Sequence, residues 1–247
     1  MIKSPIKMLL DFLLPRKCIA CGKINPKGDF DYICEDCALK IYEIKGALCL
    51  RCGELIGPPG SPDLPRCPKC SNTPPHFNKS LSICAFDGTG RQILLALKYR
   101  GGTHLLSDIS KIVLKNPRAK AFLENAVLCP VPIYFTRRLR RRYNQAELIA
   151  KTLNLSFPDS NIRIINFLKR THHKTTQTVL DKEAREKNIR GAFSFRDNPK
   201  FNIISRNAKI VLVDDVMTTG ATMSECARIL KMHDFANVDA FSFAKKI

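Results

Sequence analysis

Eight cysteines in four Cys-x-x-Cys pairs set the terms for the first 75 residues: Cys18/Cys21, Cys34/Cys37, Cys49/Cys52 and Cys67/Cys70. Twelve, eleven and fourteen residues separate successive pairs. The segment is too small for an apolar core of its own, so its order must come from the sulfurs. A Cys-x-x-Cys turn sets two sulfurs on one side of the backbone, about a tetrahedral edge apart, and two such turns close a four-sulfur zinc site. Gly22 and Gly53 follow the first and third pairs, where a tight knuckle turns backbone N–H groups toward a thiolate. Consecutive pairing gives one ion Cys18, Cys21, Cys34 and Cys37 and a second ion Cys49, Cys52, Cys67 and Cys70; interleaved pairing satisfies the same spacing. Closed four-thiolate sites leave no open coordination position, so two structural Zn²⁺ ions are expected, each contributing roughly 10 kcal/mol to folding. Regular disulfides do not suit a chain that reads as cytoplasmic, and a redox dithiol needs one pair beside a βαβ unit. Cys84, Cys129 and Cys226 stand alone in apolar surroundings and are expected in the core.

Lys and Arg number 41 against 22 acids, a formal charge of +19. That balance favours polyanionic partners: nucleic acid, phosphorylated small molecules or ribosomal surfaces. No apolar run reaches the roughly 20 residues a membrane span requires. The N-terminal IKMLLDFLLPRK stretch, interrupted by Asp11, suits a short amphipathic helix better than a signal peptide. No membrane insertion is expected.

A Pro/Gly-rich loop lies inside the second cysteine half, and SNTPPHFNKS reads as a linker. This divides the chain into a cysteine module, 1–75, and a second domain, 76–247. In the second domain strands and helices alternate. LSICAFDG, AVLCPVP, IRIINFLKR, AKIVLVDD and VDAFSFA read as strands. GRQILLALKYRG, THLLSDISKIVLK, NQAELIAKTLNL, DKEAREKNIRG and GATMSECARILKMH read as helices. That alternation predicts an α/β domain built on a parallel sheet.

One strand ends unusually. In IVLVDDVMTTGATM the apolar run Ile210–Val213 is followed by Asp214 and Asp215, then by a turn of small and hydroxylated residues. Ligands of open parallel sheets bind beyond the carboxyl ends of the strands, which places both acids at a ligand rim. The turn Met217, Thr218, Thr219, Gly220, Ala221, Thr222 leads into a helix over Ser224–Met232. Its backbone N–H groups and hydroxyls suit a phosphate. Two carboxylates would repel that phosphate unless they face ribose hydroxyls or a divalent cation. A phosphorylated ribose satisfies both halves. A capped helix after a buried strand is the plainer reading, and it leaves the adjacent acids unexplained. Neither GxxxxGK[ST] nor a complete GxGxxG after a strand is present.

The segment VLVDDVMTTGATM resembles the phosphoribosyl diphosphate (PRPP) signature of type I phosphoribosyltransferases. That resemblance implies a parallel-sheet core with a smaller hood. Asp214 and Asp215 would contact ribose hydroxyls, Thr218–Thr222 would hold the 5′-phosphate, and Mg²⁺ would accompany PRPP. With CPVPIYFTRRLRRRYNQAELIAKTL, KRTHHKTTQTVLDKEAREKNIRGAF and the paired cysteines in this order, the whole chain resembles the ComF family. Those are competence-associated proteins linked to DNA uptake and use. The resemblance implies a role in DNA processing with single-stranded DNA as a partner, alongside other competence proteins. Two alternatives stay open: an active phosphoribosyltransferase with an unidentified nitrogen acceptor, and a PRPP sensor without turnover. Many relatives have Gly where this chain has Arg142.

The loop after Val131-Pro132 also falls at the rim. Arg137, Arg138, Arg140, Arg141 and Arg142, with Tyr143 next, suit pyrophosphate or a nucleic-acid backbone; a solvated basic face is the plainer alternative. Asn144 and Gln145 are expected to cap the following helix. Lys169–Gln177 reads as a mobile loop whose His172 and His173 are weak acid–base candidates.

Overall fold

A computed structural model describes residues 15–24, 26, 28–41, 43–171 and 189–247. The second cysteine half contributes a small antiparallel ribbon, β1 (Ala47–Leu48) with β2 (Leu55–Gly57). Five strands then form an all-parallel sheet: β3 (Ser80–Ala85), β4 (Val127–Pro130), β5 (Arg163–Ile164), β8 (Ile210–Met217) and β9 (Val238–Lys245). Between β5 and β8 the chain forms a separate antiparallel hairpin of β6 (Leu168–Arg170) and β7 (Phe193–Phe195).

The spatial order is β3-β9-β8-β4-β5. From β4 the chain runs outward to β5, then returns to the other side of β4 to lay down β8 and β9. Strand order therefore reverses between β4 and β8, the topological switch point at which open α/β sheets bind ligands. The central strands are apolar along most of their length because both faces are covered. Val211, Val213, Phe241 and Phe243 point into one core, with Ile93 and Leu97 of the Gly88–Tyr99 helix and Ile149 and Leu153 of the Gln145–Ser156 helix. Ile210, Leu212, Val238 and Ala240 point into the other, with Cys226, Ala227 and Leu230 of the Ala221–Lys231 helix. The helices after β4 and β8 thus cover opposite faces. Cys84, Cys129 and Cys226 are buried, as the sequence suggests.

Three sequence expectations change. IRIINFLKR is not one strand. Phe167 is fully buried against Phe235 and Phe201, both 4.9 Å away between ring centroids, and this anchor takes the chain off the sheet between β5 and β6. Lys169 and Arg170, expected in a mobile loop, are therefore strand residues paired with Ser194 and Phe193. The THLLSDISKIVLK helix opens with a 3₁₀ turn, Thr103–Leu105, before Leu106–Leu114. Residues 172–177 of that loop, with His172 and His173, most of DKEAREKNIRG, and residues 1–14 lie outside the described residues.

The two cysteine halves relate to the sheet differently. Cys18, Cys34 and Cys37, with Phe30 and Ile33, share one apolar core with Leu81, Ile93 and Ile109. Asp108, fully buried, accepts the Asp31 and Tyr32 N–H groups at 2.7 and 2.8 Å. Thr89 donates its hydroxyl to the Cys37 carbonyl at 2.7 Å. The second half holds only a small cluster of Cys49, Cys67 and Cys70, flanked by Cys52 and Ile56.

Candidate ligand site and four-cysteine centres

The strand bearing the two acids is longer than its apolar run. Parallel pairing with β9 continues through Asp214↔Ser242 and Val216↔Ala244 to Met217↔Lys245, and the Lys246 N–H donates to the Met217 carbonyl at 2.9 Å. Asp214 and Asp215 therefore sit inside β8, not beyond it; the ladder overrides the change in hydropathy. The turn shrinks to Thr218-Thr219-Gly220. Gly220 has φ +78°, the left-handed region that glycine tolerates, and the helix starts at Ala221 rather than Ser224. Thr222 thus belongs to the first helical turn, whose N–H groups have no intrahelical partner.

The acid pair is asymmetric. Asp215, 6% exposed, is ion-paired at 2.8 Å with Lys98, near the end of the Gly88–Tyr99 helix. Asp214 accepts the Asp215 N–H at 2.8 Å. Burial, and next the adjacent Asp215 charge, push the Asp214 carboxyl up to about 7. Sequence reasoning misses Lys98 because LALKYRGG looks like a solvated helix end. Only the sheet brings it to Asp215.

Across the switch point, the Val131 N–H donates to the Val213 carbonyl at 2.9 Å. Asn144 caps the next helix through Ala146 N–H and also donates to the Val131 carbonyl at 3.0 Å. The arginine segment is a short helix, Phe135–Arg141, not a loop, and it stops at Arg142 with φ +65°. Arg142 thus holds a conformation that glycine adopts at lower cost. Arg138 lies 3.8 Å from Glu147. Arg141 donates to Gln145 Oε1 at 3.2 Å, and its guanidinium lies 5.2 Å from the Tyr99 ring centre. Arg140 and Arg142 are exposed, and the Arg137 backbone is helical. Tyr143 is half-buried and donates its hydroxyl to the Leu97 carbonyl at 2.7 Å. The exposed aromatic faces beside the arginines are Tyr99 and Phe135 instead.

The cysteines gather by consecutive pairs. Cys18, Cys21, Cys34 and Cys37 form one group and Cys49, Cys52, Cys67 and Cys70 another, each with all sulfurs within 4.8 Å of one another. The Cys21–Cys34 and Cys52–Cys67 sulfur separations are 3.6 and 3.8 Å. A zinc tetrahedron with bonds of about 2.3 Å has an edge of about 3.8 Å, so both groups fit the ion. Cys34 N–H points at Cys18 Sγ and Cys67 N–H at Cys49 Sγ. Burial raises the Cys18 and Cys49 thiols, but these and neighbouring amides outweigh it and bring them down to about 6 and about 7.

The second ribbon leans over the motif turn. Gly53 (φ +67°) sits where a Cβ would lie 3.2 Å from Ser80 Oγ, 3.8 Å from Lys245 Cδ and 3.9 Å from Met217 Cε. Between this ribbon and the Ala221–Lys231 helix lies a cleft of about 960 Å³, lined by Thr219, Gly220 and Ala221 on one side and by Cys52, Glu54 and Lys69 on the other. Pro74, Pro75 and His76 border it too, and the His76 N–H donates to Ser224 Oγ at 3.0 Å.

Two four-cysteine groups followed by a parallel sheet with an acid pair and a glycine turn beside its switch point define a zinc-ribbon module joined to an α/β domain. The family model described as a double zinc ribbon domain matches residues 9–71. The chain is 26% identical to Competence protein F of Haemophilus influenzae, covering 87% of this chain and 98% of that protein. It is 25% identical to DNA utilization protein YhgH of Escherichia coli K12, over 95% of this chain and 99% of the relative. With Competence protein ComFC of Bacillus subtilis the identity is 26%, over 86% and 84%. These similarities support the resemblance to the ComF family read from the sequence. Among solved structures it overlaps a hypoxanthine phosphoribosyltransferase from Staphylococcus aureus at 14% identity and a TM-score of 0.35, covering 56% of this chain and 62% of that one. Among the described residues no helix is long and apolar enough to cross a membrane.

Proposed function

We propose that this protein serves DNA uptake and use by binding PRPP at the β8 turn and single-stranded DNA on the arginine helix. The names of its relatives, competence and DNA utilization proteins, support the cellular role. The observation that carries the ligand reading is the place of the motif. Two carboxylates and an anion-accepting helix start stand together beside the β4/β8 switch point. Asp214 and Asp215 would face the ribose hydroxyls and Mg²⁺, whose charge would offset that of the pyrophosphate. Thr218, Thr219, Gly220, Ala221 and Thr222 would receive the 5′-phosphate, with Met217 fixing the start of the turn. Lys98, already paired with Asp215, holds that carboxylate in place. The two four-cysteine groups would each hold a structural Zn²⁺.

Arg140 and Arg142 are exposed, and so are the rings of Tyr99, next to Arg141, and of Phe135, at the start of the arginine helix; this combination suits a single strand. The test is calorimetric titration of PRPP with Mg²⁺ into the zinc-loaded protein, with the Asp214→Asn/Asp215→Asn double variant as control. Saturable binding that the variant loses is expected. Folded protein that binds no PRPP would reduce the motif to scaffold. Pyrophosphate release, screened with nitrogen nucleophiles, then separates a transferase from a sensor.

A further inference from the structure

The cleft beneath the second ribbon contains a buried cation in a loose pairing. Lys245, the last residue of β9 and the register partner of Met217, has a side chain only 2% exposed. Its ammonium is paired with Glu54 of the second ribbon at 3.5 Å, and that carboxylate is 50% exposed. The other cleft carboxylate is held quite differently. Glu225 receives both Arg228 Nε and Nη2 at 2.8 Å, and Gly191 N–H at 3.1 Å. Glu225 is thus locked, whereas Glu54 is a long, solvent-facing counter-ion on a buried ammonium. An anion with better geometry can replace it.

The surroundings favour such an anion. Lys69 and Arg190 also line the cleft, and its floor is the start of an 11-residue helix whose first N–H groups lack intrahelical partners. At about 960 Å³ the space is near the top of the roughly 300–1,000 Å³ range of ligand clefts. It leaves room beyond a pentose phosphate on the turn.

We propose that this cleft is a second anion subsite, which takes a phosphate group of a ligand extending past the Thr218–Thr222 turn, with Lys245 as its buried cation and Glu54 as the resident counter-ion that the ligand displaces. The second ribbon is then a wall of the ligand site. The proposal rests on reading the turn as a phosphate cradle. The phosphate belongs either to a nucleic-acid strand or to a free phosphate compound, and the test distinguishes the two.

Full-length, zinc-loaded protein is titrated with inorganic pyrophosphate and with a short oligothymidylate, comparing the parent with Glu54→Gln and Lys245→Gln. Removing a half-exposed counter-ion should tighten binding by about five-fold, and removing the buried cation should weaken it on the order of ten-fold or more. Tightening for pyrophosphate alone assigns the subsite to a free phosphate ligand; tightening for both assigns it to a strand. Equal affinity of Glu54→Gln and parent for both probes, at unchanged zinc content and melting temperature, overturns the proposal whatever Lys245→Gln does. PRPP is titrated in parallel. If PRPP binds and Glu54 has no effect, the subsite fails and the turn reading stands; if PRPP does not bind and Glu54→Gln still tightens pyrophosphate, the reverse holds.

Discussion

If Asp214 faces the ribose and Mg²⁺ as proposed, PRPP binding becomes a measurable function of pH. The Asp214 carboxyl is pushed from an ordinary 3.8 to about 7 by burial and by Asp215. Mg²⁺ and ribose hydroxyls both prefer the ionised form, so ligand binding must remove a proton wherever that group is still protonated. With a folded value of about 7, the ionised fraction is about 0.1 at pH 6 and about 0.9 at pH 8. Affinity for Mg²⁺–PRPP should therefore rise about ten-fold between pH 6 and 8. Binding should release close to one proton at the lower pH and almost none at the higher.

The part of the free protein's stability that Asp214 supplies runs the other way. A carboxyl whose folded value exceeds its unfolded one keeps its proton better in the folded state. The contribution of Asp214 to stability is therefore greatest below the ordinary carboxylate range and falls as pH rises from about 4 to about 7. The gap between 3.8 and about 7 corresponds to on the order of 4 kcal/mol. The assay is calorimetry in buffers of different ionisation enthalpy, which counts protons directly. Phosphate groups of the ligand titrate near pH 6 as well, so the residual binding of Asp214→Asn supplies the baseline. If parent and Asp214→Asn release the same number of protons and share one affinity slope, Asp214 is not the titrating group and the reasoning fails.

Lys98→Met should leave Asp215 as an unpaired buried charge and lower stability by about 3 kcal/mol. Adding Asp215→Asn should restore most of that stability, as read from denaturant melts of both proteins. Cys18→Ser should lower zinc content, melting temperature and soluble yield together, because its site shares the sheet's core. Cys67→Ser should lose one zinc while the main unfolding transition moves little, and full zinc occupancy in either variant would remove that ligand. Replacing Arg140, Arg141 and Arg142 with Ala should weaken single-stranded DNA binding. The slope of log affinity against log salt should flatten by about 0.7 for each phosphate that the variant no longer neutralises; an unchanged slope would place the strand elsewhere.

The parts of this molecule legible in sequence are those fixed by local spacing. Each Cys-x-x-Cys pair reports its own turn, and the alternation of apolar runs reports the parallel sheet. Consecutive pairing is visible only in the folded chain, because interleaved pairing meets the same spacing. The acid pair is legible as chemistry but misplaced by its hydropathy, since the β9 ladder carries the backbone past Asp214 and Asp215. The arginine run reads as a loop because its charge hides the helix. Exposed Phe135 and Leu139 give it no buried apolar stripe to detect. Lys98 and Lys245 are invisible for a different reason. Each acquires its role from a partner far along the chain, Asp215 and Glu54, and no local pattern marks such pairs.

The two lysines also show how the fold separates holding from admitting. Lys98 meets Asp215 at 2.8 Å with both groups largely covered, a pair whose disruption leaves a stranded charge. Lys245 meets Glu54 at 3.5 Å with the carboxylate half in solvent, a pair that yields to a better anion. The first belongs to the sheet and its helices, as the first cysteine group does. The second spans the sheet and the second ribbon, whose own apolar cluster is little more than its cysteines. An ion held by Cys49, Cys52, Cys67 and Cys70 would therefore fix where Glu54 and Lys69 stand relative to the turn. Zinc in the first group would act on folding. Zinc in the second would act on the shape of the ligand cleft, because Cys52 and Cys70 are part of its wall.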